Sequence, residues 1–162
     1  MILGIDPGLA STGYAVLTKD GTRLRGIADG TLTTSPRMDQ PERLKLLFDG
    51  VRAVAEEHQV QSAAIEAWFV HPAATSTMGT AEARGAIQVA LAGAGLTVTE
   101  YTPTSIKQSV AGYGGADKAQ VHAMVRRLCG RDCSSNHAAD AMAVAICHAT
   151  SAPLRQAIRR AK

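Results

Sequence analysis

Three acids and a histidine, Asp6, Glu66, Asp140 and His137, fall at positions from which they could together bind divalent cations. Asp6 ends the apolar run Ile2-Leu3-Gly4-Ile5 and precedes Pro7-Gly8, so a buried strand delivers one carboxylate into a turn. A charge beside a buried strand is costly unless something compensates it, and a bound cation or a phosphate-handling site is one such compensation. An Asx turn, in which Asp6 only caps its own backbone, is the other reading of that residue alone. Glu66 repeats the arrangement at the end of the apolar run from residue 60 to residue 65. Acids at the ends of two buried strands meet where the strands lie side by side, the place where α/β sheets favour ligand sites. His137 and Asp140 are three apart, hence on one helical face, and that face is otherwise Ala and Val and looks inward. A hydrogen-bonded core pair would satisfy them, but beside two strand-end acids they read as metal ligands.

The elements that must position these side chains follow from the pattern. Asp20-Gly21 is a hairpin signal between two β-rich stretches, 12–18 and 22–34, so the chain opens as a three-stranded antiparallel meander. From Pro41, Leu44, Leu47, Phe48, Val51 and Ala55 fall at helical spacing, with Arg43, Lys45 and Arg52 read as a solvated face. Residues 73–93 are rich in Ala and Gly and read as a long helix that another helix can approach closely, within the domain or from a second subunit. A strand over 96–101, a short helix opened by Thr102-Pro103 and carrying Lys107, and a helix over 117–128 carrying Lys118 follow. The last helix begins at the N-cap run Ser134-Ser135-Asn136. Trp68 and Phe69 adjoin Glu66 in a chain that is only 4% aromatic; neighbours on an extended segment point opposite ways, so one of them at least is expected to pack in the core.

With 162 residues, 46% of them hydrophobic, the chain fits one domain with a sizeable core. The expected division is a single domain over 1–150 and a loosely ordered basic tail over 151–162, with Arg155, Arg159, Arg160 and Lys162. No apolar run approaches the roughly 18 residues of a membrane span and no basic-then-apolar leader is seen, so a cytoplasmic location is expected. Cys129, Cys133 and Cys147 are odd in number and irregularly spaced, which argues for reduced thiols over a disulfide framework, and their spacing with His137 and His148 matches no common zinc signature. A net charge of +3 permits a polyanionic partner without demanding one.

Taken in order, Gly4-Ile5-Asp6-Pro7-Gly8, Thr12-Gly13-Tyr14, Ile65-Glu66, Lys107-Gln108, Lys118 and His137-Ala138-Ala139-Asp140-Ala141 resemble the bacterial RuvC Holliday-junction resolvases. The likeness covers nearly the whole chain except the tail; each motif is weak alone and the ordered set is specific. It implies an α/β, ribonuclease H-like fold, a five-stranded mixed sheet flanked by helices with the catalytic acids at its centre. It implies Asp6, Glu66, His137 and Asp140 as catalytic metal ligands, Phe69 as the aromatic that enters the junction core with Trp68 the alternative, and Lys107 and Lys118 as phosphate contacts. Several members carry Asp where this chain has His137. The implied partners are four-way junction DNA, a second copy of the chain in a homodimer, and a RuvA-RuvB branch-migration complex.

The residues agree with that chemistry. Hydrolysing a phosphodiester needs an activated water and charge neutralisation on the attacking and leaving oxygens, which two divalent ions about 4 Å apart provide. Mg²⁺ takes oxygen ligands and keeps several waters, so a small carboxylate cluster suffices; Mn²⁺ is the other expected ion. The actin and sugar-kinase superfamily opens with a similar hairpin but needs two such domains to form its nucleotide cleft. A non-catalytic junction-binding protein would be expected to lack some of the acids. A ribonuclease H-like nuclease acting on other structures is the third rival, against which Phe69, Lys107 and Lys118 favour junctions.

Overall fold

The computed structural model describes residues 1–67 and 77–160, with side chains described as far as residue 151. Strands β1 (Ile2–Asp6), β2 (Ser11–Asp20) and β3 (Arg23–Thr33) are followed by α1 (Gln40–Glu57), β4 (Ser62–Glu66), α2 (Thr77–Gly93) and β5 (Val98–Tyr101). Three helices close the chain: α3 (Pro103–Ala111), α4 (Lys118–Cys129) and α5 (Asn136–Arg160). The sheet order is β3-β2-β1-β4-β5. The first three strands form the expected antiparallel meander, and β4 and β5 add in parallel to β1. This is the five-stranded mixed sheet flanked by helices that the resemblance implies.

Alternation along the strands sorts side chains to two cores, one on each face of the sheet. Leu3, Ile5, Ala63 and Ile65 pack with Val51 of α1 and Ile87 and Leu91 of α2. Ala15, Leu17 and Ala64 pack on the other face with Ile106, Val121, Val125, Met142 and Ile146 of α3, α4 and α5. Gly4 also faces α5, where an added Cβ would overlap the carbonyl oxygen of Ala141. Period two therefore carries Asp6 to the side of Gly4 and Glu66 to the side of Ala64, both toward α5.

Local signals explain most boundaries. Thr102 caps α3 through its side chain with Pro103 in the first turn, and Asp117 and Gln120 form a reciprocal capping box at the start of α4. Gly112 and Gly130, at φ of 74° and 71°, end those helices in the left-handed region where glycine is unstrained. The hairpin turn falls one residue later than expected, at Gly21-Thr22, because Asp20 still pairs with Arg23. The expected start of α2 at residue 73 lies outside the described residues. Helix α5 runs to Arg160, so the basic tail expected from residue 151 has helical backbone as far as residue 160. No helix among the described residues is long and apolar enough to cross a membrane.

Candidate active site

Asp6 and Glu66 are the last residues of β1 and β4, neighbouring parallel strands in which Ile5 pairs with Ile65. Parallel register thus sets the two carboxylates side by side on the face that α5 covers. The start of α5 is tied to the sheet from its other end. Ser135 Oγ accepts from Ala138 N at 3.0 Å and lies 2.7 Å from Thr31 Oγ1 of β3. Ser134 N donates at 2.7 Å to Asp29, whose side chain is buried, and Arg131 Nη2 lies 2.8 Å from the same carboxylate. Glycine completes the approach, since a Cβ on Gly13 of β2 would overlap the carbonyl of His137.

The first turn of α5 then brings His137 and Asp140 to Asp6. His137 Nδ1 lies 3.0 Å from Asp6 Oδ2. One ligand atom from each of Asp6, His137 and Asp140 lies within 4.8 Å of the other two, a group that could hold a metal ion. Glu66 stands outside that tight group and lines a cavity of about 320 Å³ together with Asp140, Lys107 and Lys118. The four predicted residues and both predicted lysines are therefore gathered at one place. Trp68 and Phe69 lie outside the described residues.

Crowded acids in a partly buried site resist ionisation. Burial pushes the Glu66 carboxyl up to about 7, helped by the charges of Asp6 and Asp140 and opposed by Lys118 and Arg84. Burial also raises Asp6, against the lowering effect of its hydrogen bond to His137. A cluster that repels its own negative charge is the donor set a divalent cation relieves, and oxygen with one imidazole suits Mg²⁺ or Mn²⁺ better than a soft-metal site would.

Three supporting residues were missed by sequence reasoning. His122 Nε2 lies 2.7 Å from Asp140 Oδ1, while Lys118 Nζ lies 2.6 Å from Oδ2 of the same carboxylate. Lys118 and His122 are four apart on α4, a spacing that could have paired them in advance. Arg84 is buried in α2, donates to the backbone carbonyl of Glu66 and places Nη2 2.6 Å from Glu100 Oε1, close enough for an ion pair but misaligned for a hydrogen bond. Its rarity as a charge in an Ala-rich helix was the available signal. Arg43, read as part of a solvated face, is half-buried against the turn that follows Asp6.

The five-stranded mixed sheet, in the order β3-β2-β1-β4-β5 with helices on both faces, defines a protein of the ribonuclease H-like class. The family model described as crossover junction endodeoxyribonuclease RuvC matches residues 2–148, and the chain belongs to that family. Crossover junction endodeoxyribonuclease RuvC of Chloroflexus aggregans is 48% identical over 156 residues, covering 95% of each chain. That of Cupriavidus pinatubonensis is 50% identical over 151 residues, 91% of this chain and 82% of the other. Among solved structures, Thermus thermophilus RuvC in complex with Holliday junction substrate matches with a TM-score of 0.88 at 32% identity, covering 94% of each chain.

Proposed function

We propose that the chain resolves four-way DNA junctions by paired, metal-dependent hydrolysis of phosphodiester bonds in recombination and repair. The observation that carries this is the meeting of Asp6 and Glu66, from adjacent parallel strand ends, with His137 and Asp140 of α5 beside Lys107 and Lys118. Asp6, Glu66, His137 and Asp140 would hold two divalent ions. When bound, such ions activate water and neutralise charge on the attacking and leaving oxygens.

The chain's own groups prepare that step. Asp6 orients the His137 ring through Nδ1 in the metal-free site. Lys118 neutralises Asp140 in the metal-free site and would place a positive charge beside a phosphate held there. Lys107, on the wall of the same cavity, supplies a second positive charge toward the strand. One imidazole among carboxylates favours Mn²⁺ more than an all-carboxylate site would, with Mg²⁺ the other ion used. Phe69, or Trp68 in its place, stacks on a base at the opened junction centre.

A four-way junction needs two related cuts and each chain carries one such site among the described residues, so the working unit is a two-fold homodimer. The outer face of α2, where Met78 and Val89 are 75% and 62% exposed, is the candidate interface. The chain acts in the cytoplasm with a RuvA-RuvB branch-migration complex as partner. Incubation with a synthetic four-way junction and divalent metal, followed by mapping of the cuts, tests the reading. Paired symmetric nicks are expected; cutting that ignores the junction, or no cutting, overturns it.

A further inference from the structure

A second cavity, of about 530 Å³, opens beside the turn that follows Asp6 and is walled by Leu9, Ser11, Arg43 and His137 among others. It shares no lining residue with the cavity of Lys107 and Lys118. One cavity reaches Glu66 and Asp140 and the other reaches His137, so the acid cluster lies between them.

Arg43 is held in place by the same turn. Its Nε donates to Thr34 Oγ1 at 2.9 Å, and Thr34 Oγ1 donates onward to the Leu9 carbonyl at 2.6 Å. Thr34 is only 9% exposed, and its backbone N–H donates to the Ala10 carbonyl at 3.0 Å. The guanidinium is thereby fixed relative to Asp6, while its two Nη groups make no hydrogen bond or ion pair among the described residues. Two coplanar N–H donors on a fixed guanidinium match a phosphate in a bidentate geometry, for which a lysine would substitute its charge alone.

We propose that Arg43 takes a backbone phosphate of the DNA strand adjacent to the phosphate being hydrolysed, on the side away from Lys107 and Lys118. The inference rests on the reading that this chain cuts DNA. A strand brings one charge roughly every 3.4 Å along its axis, so phosphates must stand on both sides of the one among the acids. Asp6, Glu66 and Asp140 repel those flanking phosphates. Lys107 and Lys118 serve one flank, and the second cavity supplies a cation to the other.

The test measures binding of a synthetic four-way junction in chelator as a function of salt, for the parent, Arg43→Gln and Arg43→Lys, with thermal melts alongside and cutting of the same junction in Mg²⁺. Loss of one phosphate contact should reduce the slope of log affinity against log salt by about 0.9 in Arg43→Gln, while Arg43→Lys keeps the parental slope. A parental slope in folded Arg43→Gln overturns the inference. So does an equal fall in both variants, which would assign Arg43 to bracing the turn through Thr34. A parent that binds with a salt slope sensitive to Arg43→Gln but leaves junctions uncut would defeat the junction-resolving reading and keep the phosphate contact.

Discussion

His122 Nε2 of α4 lies 2.7 Å from Asp140 Oδ1 of α5, so a side chain outside the predicted ligand set orients one that belongs to it. Partners of this kind fix the carboxylate rotamer, and their removal typically weakens metal binding about 10–100-fold. His122→Ala should weaken Mn²⁺ binding to the metal-free protein by that factor in calorimetry. His122→Gln, which restores an N–H donor, should recover most of it. Unchanged Mn²⁺ affinity in folded His122→Ala would show that Asp140 is held by its helix and Lys118 alone.

The raised Glu66 carboxyl makes metal-free stability fall with rising pH. Its ordinary value is 4.5 and burial, with the charges of Asp6 and Asp140, moves it to about 7 in the fold. Between those values the folded chain keeps a proton that the unfolded chain releases, so the fold loses stability as pH rises. The penalty is absent below the lower value and complete above the higher one, and the raised Asp6 acts in the same direction. Melting in chelator should therefore drop between pH 4.5 and about pH 7, and Glu66→Gln should flatten the drop. Identical pH profiles for the two proteins would show that Glu66 ionises freely. Added divalent metal should abolish the drop in the parent, because it binds the ionised form.

The packing of α5 on the sheet predicts a third outcome. Gly13→Ala would push a methyl group into the His137 carbonyl, and displacement of α5 is the only relief, since the obstacle is backbone. A cost of about 1–3 kcal/mol in stability is expected, with loss of cutting beyond what the lower melting point explains. Full activity at a temperature where the variant is folded would mean that His137 tolerates a shifted helix start.

The strand-end acids were legible because continuous apolar runs end at Asp6 and Glu66, the first before a Pro-Gly break, and parallel pairing of β1 with β4 does the rest. His137 and Asp140 were legible as a helical pair on an apolar face. Arg84, His122 and Arg43 were not, because their partners are the Glu66 carbonyl, the Asp140 carboxylate and Thr34, and no local pattern announces a contact between distant elements. The roles of Gly4 and Gly13 were hidden for the same reason: a glycine's need for closeness shows only when the helix that approaches it is in place.

If Asp6, Glu66, His137 and Asp140 hold the ions that cut junction DNA, Asp6→Asn must separate binding of a synthetic four-way junction, measured in chelator, from its cutting in Mg²⁺. Asp6 contributes negative charge that repels phosphate in the absence of metal, so the variant should bind at least as tightly as the parent. Its cutting should fall by at least about 100-fold, the upper end of what outer-shell changes alone produce. Cutting at the parental rate, or joint loss of binding and cutting in a folded variant, would contradict the account.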